Sequence, residues 1–254
     1  MVRGGEERKN GVIEEARETR AFMLEKKARE ALDGLEIGAL GVTEVEEALG
    51  VIAGGMRDNP LHVAVFGENP ERHRKSFRRL VSAAFAAKDV GSHMLVARSA
   101  DGEIVGVCGM MPPGDCKPGL GDALHVLPGL LRNGPRAAGR TVRWFGAWSG
   151  HDPKTRHWHV GPVAVEAHLQ GMGIGSKLMR VFSARMDALD EDAYLETDKP
   201  ENVYFYERFG FEVVGEEEVL GVPTWFMLRQ KRRDGEVPGS SPNQDRVKGR
   251  SWWR

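Results

Sequence analysis

The stretch HWHVGPVAVEAHLQGMGIGSKLMRVFSARM, residues 157–186, constrains the chain more than any other. Val160, Val163 and Val165 read as a buried strand, predicted over 157–165. Gln170-Gly171-Met172-Gly173-Ile174-Gly175 follows. Ile174, Leu178, Phe182, Met186 and Leu189 then recur at helical spacing, which predicts a helix over 173–189 with these five as its core stripe. Glycines ahead of a helix let backbone N–H groups turn inward and approach a ligand closely. With the free amides and dipole of the first turn they form a site for phosphate oxygens, and Ser176 adds a hydroxyl. The spacing is not the Gly-x-Gly-x-x-Gly of dinucleotide folds, and Ser176-Lys177 reverses the order of a Walker loop. Taken alone, the segment leaves two readings open: a phosphate cradle, or a turn that only joins strand to helix.

The rest of the chain surrounds this unit with alternating strands and helices. Leu35–Val42 suits a first strand, and Thr43-x-x-Glu46 has the pattern of a capping box, so a helix is expected from Thr43. Phe77, Leu80, Val81, Ala84 and Phe85 predict a helix from about Asn69 to Ala87. Strands are predicted at Met94–Ala97 and Ile104–Met110, joined through Asp101-Gly102 as a hairpin. Residues 112–156 read as a long Gly-, Pro- and Arg-rich connection with one helical stretch near Leu120–Leu131 and an aromatic patch of Trp144, Phe145 and Trp148. A strand at 193–197, a helix at 201–209 and strands at 211–219 and 224–230 complete an α/β or α+β pattern with a mixed sheet.

Three regions follow. Residues 1–34 form a charged extension, helical or disordered; 35–230 form one folded domain; 231–254 read as a disordered tail. Trp252 and Trp253 in that tail would dock on the domain or on a second subunit, so a homodimer is one expectation. With Lys+Arg 36 against Asp+Glu 37 the net charge is 36 − 37 = −1, which argues against a dedicated nucleic-acid binder. No apolar run is long enough for a membrane span, and the charged N-terminus is unlike a signal peptide. Two cysteines, Cys108 and Cys116, make no disulfide framework, so a cytoplasmic location is expected. Cys108 reads as core and Cys116 as a loop thiol; neither has a paired base for nucleophilic catalysis.

Val-Ala-Val, then Gln-Gly-x-Gly-Ile-Gly, then a helix, resembles the acyl-CoA-binding motif of the GNAT N-acetyltransferase superfamily. Asn202-Val-Tyr-Phe-Tyr206-Glu-Arg-Phe-Gly210-Phe211 resembles the second signature of that family. The stretch LETDKPENVYFYERFGFEV is similar to the C-terminal part of puromycin N-acetyltransferase-like bacterial enzymes. The resemblance implies a mixed, mostly antiparallel sheet of about seven strands, splayed at the acyl-CoA cleft and flanked by helices. It implies acetyl-CoA as cosubstrate, no metal, and a primary amine of a small molecule as acceptor. Main-chain groups of Val163, Ala164 and Val165 would hold the pantetheine arm. The amides of Gln170, Gly171, Met172, Gly173, Ile174, Gly175 and Ser176 would hold the pyrophosphate. Asn202 would bond the pantetheine chain, and Phe205 and Tyr206 would line its far end.

Transfer needs a deprotonated amine, a polarised thioester and a protonated leaving thiolate. The resemblance implies Val163 N–H as the oxyanion donor and Tyr206 as the acid, with Tyr204 on another helix face. Relatives that carry a glutamate base on the motif strand have His159 at that position here; Glu196 is the other base candidate, and water a third. His157 and His159 share a strand face, but no third ligand at metal spacing accompanies them. His168 reads as a surface residue. Trp144, Trp148 and Trp225 either line an acceptor pocket for a flat or apolar amine or belong to the core. A non-catalytic acyl-CoA-binding regulator or assembly protein is the alternative to an enzyme.

Overall fold

The computed structural model describes residues 33–87, 93–115 and 120–231. Cys116, Trp252, Trp253, nearly all of the N-terminal extension and all of the tail beyond Lys231 lie outside the described residues. Seven strands are present: β1 Glu36–Ala39, β2 Leu95–Arg98, β3 Ile104–Met111, β4 Trp158–Val165, β5 Ala193–Thr197, β6 Glu212–Val219 and β7 Val222–Arg229. They form one sheet in the order β1-β2-β3-β4-β5-β7-β6, antiparallel throughout except for the parallel β4–β5 pair. This is the mixed, mostly antiparallel sheet expected from the sequence.

Helices cover both faces. On one side lies α6 (Ile174–Leu189), whose Ile174, Leu178, Phe182 and Met186 are buried against β2 to β5. Leu189, expected in the same stripe, is 47% exposed at the last position of the helix. Contact with β3 is close: a Cβ on Gly106 would meet Ile174 Cγ2 at 2.8 Å and Leu178 Cδ1 at 3.1 Å. On the other face lie α1 (Val45–Gly55), α2 (Pro60–Phe66), α3 (Pro70–Ala87), α4 (Leu120–Arg132) and α5 (Pro135–His151). The last helix, α7 (Pro200–Glu207), leads from β5 toward β6.

Three local expectations are corrected. Thr43 does not cap a helix: a 3-10 turn spans Val42–Glu44, α1 starts at Val45, and the Gly41 N–H donates to the Glu44 carboxylate at 2.6 Å. Arg98, bonded to the same carboxylate, holds it down to about 2. The 112–156 segment is not an irregular connection with one helix; it carries α4 and α5, with Trp144, Phe145 and Trp148 on α5. α2 was not foreseen, because its seven residues are too few to show a helical period. The other ends hold closely: Asn69 caps α3 by accepting the Arg72 N–H at 2.9 Å, and Gly102, at φ 83°, turns the β2–β3 hairpin.

The C-terminal end of α1 lies directly on β4. A Cβ on Gly55 would meet Val165 O at 2.5 Å, Val165 N at 3.1 Å and the Ala164 Cβ at 3.2 Å, so only glycine permits this approach. Gly50, on the same helix, is exposed with nothing within 4 Å of a Cβ. Gly55→Ala should therefore lower stability by about 1–3 kcal/mol through forced backbone displacement. Gly50→Ala should raise it by about 0.5–1 kcal/mol. Denaturant melts of the two variants check the pair; equal effects would contradict the packing described.

Candidate active site

β4 is paired with β3 on one edge, apart from an irregularity at Gly161-Pro162, and is almost bare on the other. Toward β5 only Trp158↔Ala193 and His159↔Tyr194 are in register, after which the two strands part. Toward β3 the ladder continues to Gly106↔Val165, and the Glu166 N–H donates to Val105 O at 2.9 Å. That bond sets the phase of the ladder. Ala164 is bonded to Val107, whereas Val163 and Val165 turn their N–H and C=O groups toward the gap that β5 has left. The gap opens into a cleft of about 770 Å³.

The glycine loop closes one end of this cleft. Gly171 and Gly173 have φ of 79° and 89°, a left-handed backbone that favours glycine, and α6 begins directly after them. The Lys177 N–H donates to Gly173 O at 3.0 Å, so the amides of Ile174, Gly175 and Ser176 belong to the first turn, which has no acceptors within the helix. Gly171, Gly173, Ile174, Gly175 and Ser176 line the cleft, while the Met172 side chain packs on the core. The Gln170 amide donates to Gly55 O at 2.9 Å and Val165 O at 3.1 Å, tying the loop to α1 and β4. From α7, Asn202, Phe205 and Tyr206 line the cleft; Phe205 faces Gly175, and Arg208 lies 5.1 Å over its ring.

The two base candidates prove to be one pair. His159 Nε2 lies 2.9 Å from Glu196 Oε2, with side chains 12% and 2% exposed, so the imidazole on β4 and the carboxylate on β5 meet across the opening. Sequence spacing gave no sign of this contact, which runs from the last β4 residue in register with β5 to a residue two positions further along β5. The ring of Tyr194 stands edge-on between His157 and His159, at 5.5 and 5.7 Å. His157 has its own partners, Asp152 at 3.3 Å and Thr155 O at 2.7 Å. Tyr206 is buried, and burial pushes its hydroxyl well above the usual phenol range, so it holds its proton at neutral pH. Burial pushes the Cys108 thiol up to about 12, which removes it as a nucleophile. Tyr204 is 68% exposed and His168 is exposed, as their positions suggested.

The opposite wall comes from α2, α3 and α5. Asp198, at the end of β5, accepts the Leu61 N–H at 2.7 Å and the Asn59 side chain at 3.3 Å; it thereby satisfies a free amide at the start of α2. Burial pushes its carboxyl up, against the pull of the Leu61 amide. Lys199 pairs with Asp58 at 3.0 Å. Trp144 and Trp148 line the cleft beside Phe77 and His62. Trp225 does not: it sits on β7 against the opposite core cluster, beyond β5. The sequence pass missed His62, Asp198 and α2; the Asn59-Pro60 pair, a helix-start signal, was their one local trace.

The family model described as acetyltransferase (GNAT) family matches residues 61–211. Several solved structures share the fold. A histone acetyltransferase HPA2 and related acetyltransferase from Corynebacterium glutamicum aligns with TM-score 0.61 and 22% identity, over 80% of this chain and 99% of its own. Arylalkylamine N-acetyltransferase 2 from Aedes aegypti gives 0.60 and 12%, over 78% and 99%. A polyamine N-acetyltransferase from Drosophila melanogaster gives 0.54 and 14%, over 77% and 99%.

His62 links this wall to pH. It is packed among Phe77, Trp144 and His73, and burial, with His73 nearby, pulls its pKa from 6.5 down to about 3. Between those values the unfolded chain binds a proton that the folded chain refuses. Its contribution is therefore fully present above 6.5 and lost as pH falls toward 3. His62→Phe should shrink the drop in Tm between about pH 7 and about pH 4.5. A drop as steep as the parent's would show that His62 is not a source of acid sensitivity.

Proposed function

Because the chain belongs to the GNAT acetyltransferase family, whose members are acetyl-CoA-dependent acyltransferases, we propose that it moves the acetyl group of acetyl-CoA to a primary amine of a small molecule, by direct attack in a ternary complex. The observation that carries this reading is the His159–Glu196 pair, set at the mouth of the strand gap four residues before Val163, whose peptide faces the same cleft. A proton acceptor and an oxyanion donor thus share one opening.

In this reading the amides of the Gln170–Ser176 loop take the pyrophosphate, helped by the α6 dipole. The outward groups of Val163 and the Val165 N–H take the pantetheine arm as an added strand would, while the peptide of Ala164 is spent on β3 and the Val165 carbonyl on Gln170. Asn202, Phe205 and Tyr206 line the arm from α7. The amine gives its proton to the His159–Glu196 pair. The freed lone pair attacks the thioester carbon, and the Val163 N–H stabilises the developing oxyanion by about 3–4 kcal/mol. Collapse expels the CoA thiolate, which Tyr206 protonates. The likeness of 195–213 to puromycin-type enzymes, a cytoplasmic location and a homodimer belong to the same proposal. Among the described residues no helix is long and apolar enough to cross a membrane.

The test is thiol release from acetyl-CoA with a panel of primary amines. Release should need both amine and protein; saturable acetyl-CoA binding without any release would favour the non-catalytic alternative. Tyr206→Phe should lower kcat by ~10²–10⁴-fold with acetyl-CoA affinity nearly unchanged. His159→Ala and Glu196→Gln should each slow turnover, and the double variant should cost little more than the worse single one, as for groups that act together. Strictly additive losses would separate their roles. Gly173→Asp places a carboxylate and a strained backbone in the loop, and should abolish the rise in Tm that acetyl-CoA gives the parent.

A further inference from the structure

The acceptor side of the cleft is chemically one-sided. Phe77, Val81 and Phe85 of α3 all line it, at successive turns. Eight residues of helix span ~12 Å, so they form a continuous apolar wall of that length. Beside it, around His62, stand Trp144, Phe145 and Trp148 of α5, with the Trp148 ring edge-on to Trp144 at 5.0 Å. Asp152, Glu196 and Asp198 are the buried carboxylates lining the same space; the first two are each held by an imidazole, and Asp198 is taken up by the Leu61 N–H and the Asn59 side chain.

Cations are placed elsewhere. Among the described lining residues the Lys and Arg side chains are Lys199, engaged by Asp58 at 3.0 Å, and Arg208, over the Phe205 ring. An acceptor that bears a carboxylate or phosphate finds no unengaged Lys or Arg among the described lining residues. An acceptor with a second ammonium would have to lose its water against Phe77, Val81 and Phe85. Asp115, the remaining nearby acid, is exposed and screened by solvent.

We infer that the amine acetylated here carries one charged nitrogen on an apolar body, alkyl or arylalkyl, which lies along the α3 wall with its nitrogen toward Glu196. This rests on the amine-transfer reading above and adds the class of amine. Amino acids and diamines are the classes it excludes.

The experiment measures kcat/KM for thiol release from acetyl-CoA by the full chain, with n-alkylamines from ethyl to octyl, 2-phenylethylamine, 1,8-diaminooctane and phenylalanine. In the alkyl series kcat/KM should rise by about fourfold per methylene until the wall is covered. On the same scale 2-phenylethylamine should exceed phenylalanine, and octylamine exceed the diamine, by at least about tenfold. A flat series, or a diamine or amino acid equal to its apolar counterpart, overturns the inference and leaves amine transfer standing. Silence with every amine, while acetyl-CoA still binds, overturns both. Trp148→Ala should flatten the chain-length dependence without changing acetyl-CoA affinity. Val81 is half-buried and tolerates a polar group, so Val81→Asp serves as a second variant; it should raise the diamine relative to octylamine. An unchanged ranking in both variants would place the apolar body away from this wall.

Discussion

The structure depends on one unmade set of hydrogen bonds. β4 pairs with β3 on both sides of an irregularity at Gly161-Pro162, but with β5 at only two positions before the strands part. Val163 and the Val165 N–H are thereby left facing an open gap in the sheet, while Gln170 takes the Val165 carbonyl. Buried backbone polar groups are costly when unpaired, so such an edge is stable only where water or a ligand can reach it. The cleft lies there because the sheet is incomplete there.

A gap in a sheet must be braced by something other than strand pairing. Here side chains and a close backbone contact do it. Gln170 bonds the glycine loop to the end of α1, and Gly55 lets α1 lie against Val165. Asp198 and Lys199 reach from the end of β5 to the 58–61 segment. His159 and Glu196 span the opening itself. The proposed base is thus also one of the braces, so its geometry is set by where the two strands separate. Tyr206, the proposed acid, is held in apolar surroundings that keep it protonated, whereas the paired imidazole and carboxylate are placed to accept a proton.

Much of the fold was legible in the residues. The strand, glycine loop and helix of 157–189 stand where the valines, glycines and helical stripe indicated. The β2–β3 hairpin and α3 also follow their local signals. What failed had a common cause. Thr43 looked like a cap, but a carboxylate already bonded to Arg98 took the Gly41 amide. Gly, Pro and Arg made 135–151 look irregular, yet it is a helix, because Trp144 and its neighbours gain burial against α2 and α3 that outweighs weak propensity. Trp225 was grouped with Trp144 and Trp148 by residue type alone, and the sheet order sends it to the other side of β5.

By itself the sequence determined the elements whose signal is local: apolar periods of two and 3.6, glycines at positions that need a left-handed backbone, and two spaced motifs that point to an acyl-CoA fold. Only the tertiary structure decided which of those residues share a site. It joined His159 to Glu196, which the sequence had left as rivals, and brought Asp198 to the start of α2. It also gathered Phe77 of α3 and Trp144 of α5 around His62 and kept Trp225 away. A backbone conformation or an amphipathic stripe is written in neighbouring residues. A contact between side chains on separate elements depends on sheet order, register and the point at which two strands part, and these are set by the packing of the whole chain.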